Sequence, residues 1–125
     1  MDVSLGGKTR TLRFSVIGMA SMEVRSEKHL GWYLGEMGQG RYSVAVCLWM
    51  LWAGLQHEQA PPTVAEVAGW IQAHIDAGHP LVDFSVPIGA AMAVFLPERK
   101  PPDGDEGNVK PEAGSPSPTS GSQAG

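Results

Sequence analysis

Twelve consecutive residues, Val44-Ala-Val-Cys-Leu-Trp-Met-Leu-Trp-Ala-Gly-Leu55, carry only apolar side chains up to Ala53, with Trp49 and Trp52 one helical turn apart. The run is too short to cross a bilayer, which takes about 20 apolar residues. It is also apolar all round, so contact with a core on one side leaves other faces uncovered. The rest of this small chain, or another protein, must bury them. That requirement points to an interaction protein rather than an enzyme.

The surrounding chain is small. Of its 125 residues, the last 28, from Glu98 on, are rich in Pro, Gly and Ser and include only Val109 as a large apolar residue. Composition of that kind does not repay the entropy of ordering, so 98–125 is expected to be a disordered tail. The foldable unit is then 1–97, enough for one modest core. Residues 1–97 hold six basic and eight acidic groups and 98–125 three and five, for a net charge of −4. No basic field steers nucleic acid, and no basic amphipathic stretch suggests a membrane surface. The single Cys47 allows no intramolecular disulfide, and the N-terminus lacks the apolar core of a signal peptide, so the expected location is the cytoplasm.

The N-terminus reads as a hairpin. Met1, Val3 and Leu5 alternate with Asp2 and Ser4, Gly6-Gly7 permits the positive φ of a tight turn, and Lys8 to Phe14 alternates in return. With the two glycines as the loop, Leu5 faces Lys8, Val3 faces Arg10 and Met1 faces Leu12. That register gathers Met1, Val3, Leu5, Leu12 and Phe14 on one face and Asp2, Ser4, Thr9, Thr11 and Arg13 on the other. An isolated hairpin is marginal in water, so the apolar face must pack on helices or pair with another subunit.

Helices are expected where caps and periodicity coincide. Ser15 caps a stretch from about Val16 to Ser26, weakened by Gly18; a pliable one from Leu30 to Met37 carries Trp32 and Tyr33 and ends at Gly38-Gln-Gly40. The apolar run makes the next, with Gly54 near enough to its end to be tolerated. Thr63-Val-Ala-Glu66 after Pro61-Pro62 has the form of a capping box, heading a stripe of Val64, Val67, Ala68, Ile71 and Ile75 that stops before Gly78. His79-Pro80 opens a loop. Ser85-Val-Pro87 starts a last helix with Ile88, Ala91, Met92 and Phe95 on one face. The expected class is α+β, mostly α: an N-terminal β-hairpin packed on a small bundle of about four helices.

Chemistry-bearing residues favour bland readings. His74 and His79 are five apart, with Asp76 and Asp83 nearby, but the spacing matches no zinc pattern, and His at a helix C-terminus complements the dipole. His57-Glu58 reads as a solvated helix end. Cys47 among Val46, Leu48 and Trp49 reads as a buried, inert thiol. Gly6-Gly7-Lys8 joins two strands, not a strand and a helix as a phosphate loop requires. No catalytic residue, cofactor or metal is therefore expected. Trp49 and Trp52 read as core, and the methionines mostly as core filler. Trp70 lies off the apolar stripe of its helix and is the first candidate for a partner anchor, since Trp is enriched at binding hot spots. Trp32, Tyr33 and Met37 are the other candidates.

Two segments carry a resemblance. Val3-Ser-Leu-Gly-Gly-Lys-Thr-Arg-Thr-Leu-Arg-Phe14 resembles the start of the tail assembly chaperones of tailed phages and gene transfer agents, a family whose members are sometimes labelled tail tube proteins. Leu51-Trp-Ala-Gly-Leu-Gln-His-Glu58, followed by Pro62-Thr-Val-Ala-Glu-Val67, is similar to that family's "LLWAGL-H-E" stretch and the Thr-led helix after it. Glu23 falls where the family has a glutamate late in its first helix. The resemblance covers roughly residues 3–76 and rests on the order and spacing of ordinary motifs. Ser15-Val-Ile-Gly-Met-Ala20 departs from the family's Asp/Asn-Ala-Leu start, and the Gly-rich 35–40 region and the last helix match poorly. The resemblance implies a non-catalytic protein that binds the long helical tape measure protein during tail morphogenesis and then leaves. The tail tube protein and a second copy of the chain are further partners to consider. The alternative is a structural tail or head–tail component retained in the particle, its hairpin joining a ring by strand addition.

Overall fold

The computed structural model describes residues 1–97; the tail expected over 98–125 lies outside the described residues. Strands β1 (Asp2–Leu5) and β2 (Lys8–Thr11) form an antiparallel hairpin, followed by helices α1 (Val16–Ser26), α2 (Leu30–Gly38), α3 (Val44–Gly54) and α4 (Val64–Asp76). A 3-10 turn (Leu81–Phe84) then leads into α5 (Ser85–Phe95). The class is α+β, mostly α, with five α-helices among the described residues rather than about four. None of the helices is long and apolar enough to cross a membrane.

The hairpin has the register its alternation requires: Leu5 pairs with Lys8, Val3 with Arg10 and Asp2 with Thr11. Gly6 and Gly7 take φ of +64° and +79°, the left-handed pair that a two-residue turn between twisted strands demands. Past the ladder, the Leu12 N–H donates to Met1 O at 2.7 Å. Leu5, Leu12 and Phe14 are buried, Val3 is half-buried, and Met1, at the margin, is exposed.

Helix α3 is the axis of the molecule. Val46, Cys47, Met50, Leu51, Trp52, Ala53 and Gly54 are buried along it, and it packs against α1, α2, α4, α5 and the 3-10 turn. The chain's own elements therefore cover most of the apolar run. Trp52 is buried and meets Trp49 edge-to-face at 5.8 Å, while Trp49 itself is only half-buried.

Close approach explains two glycines. A Cβ on Gly18 of α1 would fall 2.9 Å from Ala53 O, and one on Gly54 would fall 2.8 Å from Leu12 Cδ2. Gly18 lets α1 lie directly on α3, and Gly54 makes room for the hairpin's Leu12. Neither is a mere weakness in a helix.

The caps fix the connections. Ser15 and Ser43 accept from the N–H groups of Gly18 and Val46. Thr63 and Glu66 form both bonds of the capping box, at 3.1 and 2.9 Å. Helix α4 ends in a Schellman motif: His79 N–H donates to His74 O, Gly78 N–H to Ile75 O, and Gly78 has φ +89°. His29, at the start of α2, makes no side-chain cap; Glu23 replaces it, accepting from Leu30 N–H at 2.6 Å. Its α4 stripe is narrower than the spacing suggests, because only Val67 and Ile71 are buried, while Ala68 and Ile75 stay exposed.

Candidate functional site

Three places bring side chains together in ways that bear on function. The first joins the hairpin to the end of α3 and to α4. Arg10, on the inward face of β2, donates from Nη1 to Glu58 Oε1 at 2.8 Å and from Nε to Leu5 O at 3.2 Å. Its guanidinium carbon lies 4.3 Å from the centre of the Trp70 ring. On the hairpin side the same ring lies so close to Gly6 that a Cβ there would meet indole atoms at 2.6 to 2.9 Å. His57 Nε2 lies 2.7 Å from Thr11 O, so its N–H donates to that carbonyl. His57 and Glu58 are therefore clamps on the hairpin, not a solvated helix end.

Trp70 is half-buried and already held by Arg10 and Gly6, which gives it an intramolecular role. Tyr33 is corrected outright as a partner anchor: it is 0 % exposed. The rotation of α2 points it inward with Leu30 and Met37 half-buried beside it, and spacing of Leu30, Tyr33 and Met37 at three and four was the signal of that face. Trp32 is on the outer side at 37 % exposure, beneath the Lys28 ammonium at 4.8 Å. Of the four candidates, Trp32 is the most accessible.

The second place is the end of α4. His74 Nε2 lies 3.1 Å from Pro80 O and 3.2 Å from Asp83 Oδ2, and the His74 ring stacks at 4.5 Å on Phe84. Asp76 accepts from Gln72 Nε2 at 2.8 Å. The His74 contacts tie the 3-10 turn to α4. Among the described residues no three His, Cys, Asp or Glu side chains converge as metal ligands would. Cys47 is fully buried, and burial pushes its thiol up to about 11, away from the thiolate a nucleophile needs.

The third place is an apolar exterior. Val16, Ile17 and Val24 of α1 are 74, 81 and 78 % exposed. Beside them runs a groove of about 490 Å³ walled by Ala20, Ser21, Val24, Arg25, Trp52 and Gln56. A smaller apolar groove of about 170 Å³ lies between α3 and α4, lined by Val44, Leu48, Ala68, Ile71, Gln72 and Ile75. Apolar side chains are exposed on α5 as well, at Val86 and Val94.

The chain matches no family model, no curated protein and no solved structure.

Proposed function

We propose that the protein is a non-catalytic tail assembly chaperone of a phage or gene transfer agent, acting in the cytoplasm of a bacterial host on the tape measure protein. One observation carries the reading. The two stretches that resemble the family, residues 3–14 and 51–67, are distant in sequence but pack as one unit. Arg13 N–H donates to Gly54 O at 2.9 Å, His57 bonds Thr11, and Arg10 pairs with Glu58. Motifs that act together in the fold are more informative than the same motifs scattered. The exposed valines and isoleucine of α1 supply apolar surface of the kind that covers a long striped helix in segments. Co-expression with a tape measure protein tests the reading: the soluble fraction of that protein should rise several-fold, and an unchanged fraction sinks the proposal.

The alternative, a structural component retained in the particle, draws on the hairpin, since among the described residues β1 has no strand partner on its outer edge, the side a strand could join by addition. Mass spectrometry of purified particles separates the two. A chaperone that departs is absent or trace, whereas a component is stoichiometric.

A further inference from the structure

We propose that the outward face of α1 and the groove beside it form the docking surface, and that its occupant is an amphipathic helix whose apolar stripe is bordered by carboxylates. Val16, Ile17, Ala20 and Val24 fall within about 100° of one another around the helix, opposite the buried Gly18, Met19 and Met22. All four face solvent. Helix α1 spans about 16 Å, three turns, which suits contact with a second helix at spacings of three and four.

Charge sets the partner's chemistry. The groove beside the stripe is floored by Trp52, and Arg25 covers that ring at 5.2 Å. Arg25 is exposed and, among the described residues, forms no ion pair, unlike Arg10 and Arg41. No carboxylate lines the groove. The neighbouring Glu23 is turned away onto Leu30 N–H. Lys28, also without a carboxylate among the described residues, follows just past the helix end. Glu27 lies between Arg25 and Lys28 at the helix end, so the charge that the groove itself presents is Arg25, and on a chain of net charge −4 that cation favours an acidic border on whatever docks there. The α3–α4 groove has apolar walls but no such charge.

Choosing a helix as the occupant rests on the chaperone reading; the surface itself rests on its own residues. The test uses the isotope-labelled full chain and two synthetic helical peptides with the same leucine stripe, one bordered by Glu and one by Lys. The Glu-bordered peptide should shift the amide signals of Ile17, Ala20, Val24 and Arg25 and the indole signal of Trp52. The Lys-bordered peptide should bind at least tenfold more weakly. Arg25→Glu should reverse that preference, and Val24→Asp should abolish binding of both; both sites are exposed, so the fold is kept. Equal binding of the two peptides, shifts confined to other elements, or no shifts overturn the proposal. So does broadening of the α1 signals with the chain's own concentration, which would make a second copy the occupant. The peptides contain nothing from a phage tail, so their outcome bears on the surface, while the co-expression experiment bears on the function.

Discussion

The Arg10 guanidinium is stacked 4.3 Å over the Trp70 ring while its Nη1 is bonded to Glu58 at 2.8 Å, so one side chain joins the hairpin, the end of α3 and α4. The Arg10 side chain is 10 % exposed and that of Glu58 22 %, so the pair is screened far less than a surface ion pair. Arg10→Ala should cost about 2 kcal/mol by urea unfolding, since it strands a half-buried carboxylate. Trp70→Ala should cost about 2 to 3 kcal/mol, less than a fully buried Trp. The double variant should lose less than the sum, by about 0.5 to 1 kcal/mol, the coupling of the stacked pair. A Trp70→Ala protein with unchanged stability would release that ring for a partner.

Glycines divide into those that a methyl group would obstruct and those it would not. Gly18→Ala drives a Cβ toward a backbone carbonyl, Ala53 O, which cannot turn aside, and Gly54→Ala drives one into buried Leu12. Each should destabilise by about 1 to 3 kcal/mol despite alanine's better helix propensity. Gly35 and Gly69, also helical, have open space where the Cβ would go, and their alanine variants should gain up to about 1 kcal/mol. Thermal unfolding of the four variants reads both signs at once. In the hairpin, Gly6→Ala should be worse than Gly7→Ala, because both strain a positive φ but only the first meets Trp70.

The hairpin was legible because everything that fixes it is local: two glycines for the turn, and a parity that sends Leu5, Leu12 and Phe14 to one side. Helix starts were legible for the same reason, in Ser15 and the Thr63–Glu66 box. What the sequence hid is what depends on distant partners. Arg10 sits on the apolar face of its strand, and the residue that accommodates it, Glu58, is 48 positions away. Gly18 reads as a weak point in a helix until Ala53 O is placed against it. Trp32 and Tyr33 are adjacent, and only the docking of α2 decides which of them is inside. The 3-10 turn at Leu81–Phe84 is too short for any periodicity to reveal.

Tyr33 and Trp32 should respond oppositely to substitution. The Tyr33 hydroxyl is buried with no well-formed hydrogen bond among the described residues, only a weak approach to the Ser26 side chain, so Tyr33→Phe removes a desolvated group and keeps the packing. It should be neutral or stabilising by up to about 1 kcal/mol. Tyr33→Ala, by contrast, empties a fully buried site and should cost about 3 to 5 kcal/mol, the range of a buried aromatic. Trp32→Ala, half-exposed, should cost under about 1 kcal/mol. A loss of stability on Tyr33→Phe would show that the hydroxyl has an acceptor.

Cys47 should set part of the alkaline limit of the fold. Burial pushes its thiol up to about 11 from an ordinary 9.0, so the unfolded chain gives up that proton roughly two units of pH before the folded one. The thiol's contribution to stability is therefore complete below about pH 9 and is lost as pH rises through about 11. Burial also raises the Tyr33 and Tyr42 phenols above their usual 10.0, which adds a loss of the same sign at the upper end of that window. The urea midpoint should accordingly fall between about pH 9 and 11, and Cys47→Ala should flatten the first part of the fall while lowering stability at neutral pH by loss of packing. In the native protein near neutral pH, alkylation of Cys47 by iodoacetamide should be slow and should reach the rate of an ordinary thiol only in urea, because both the thiolate and a path to it are absent from the folded state. Rapid alkylation without denaturant would show that α3 opens on the time scale of the reaction.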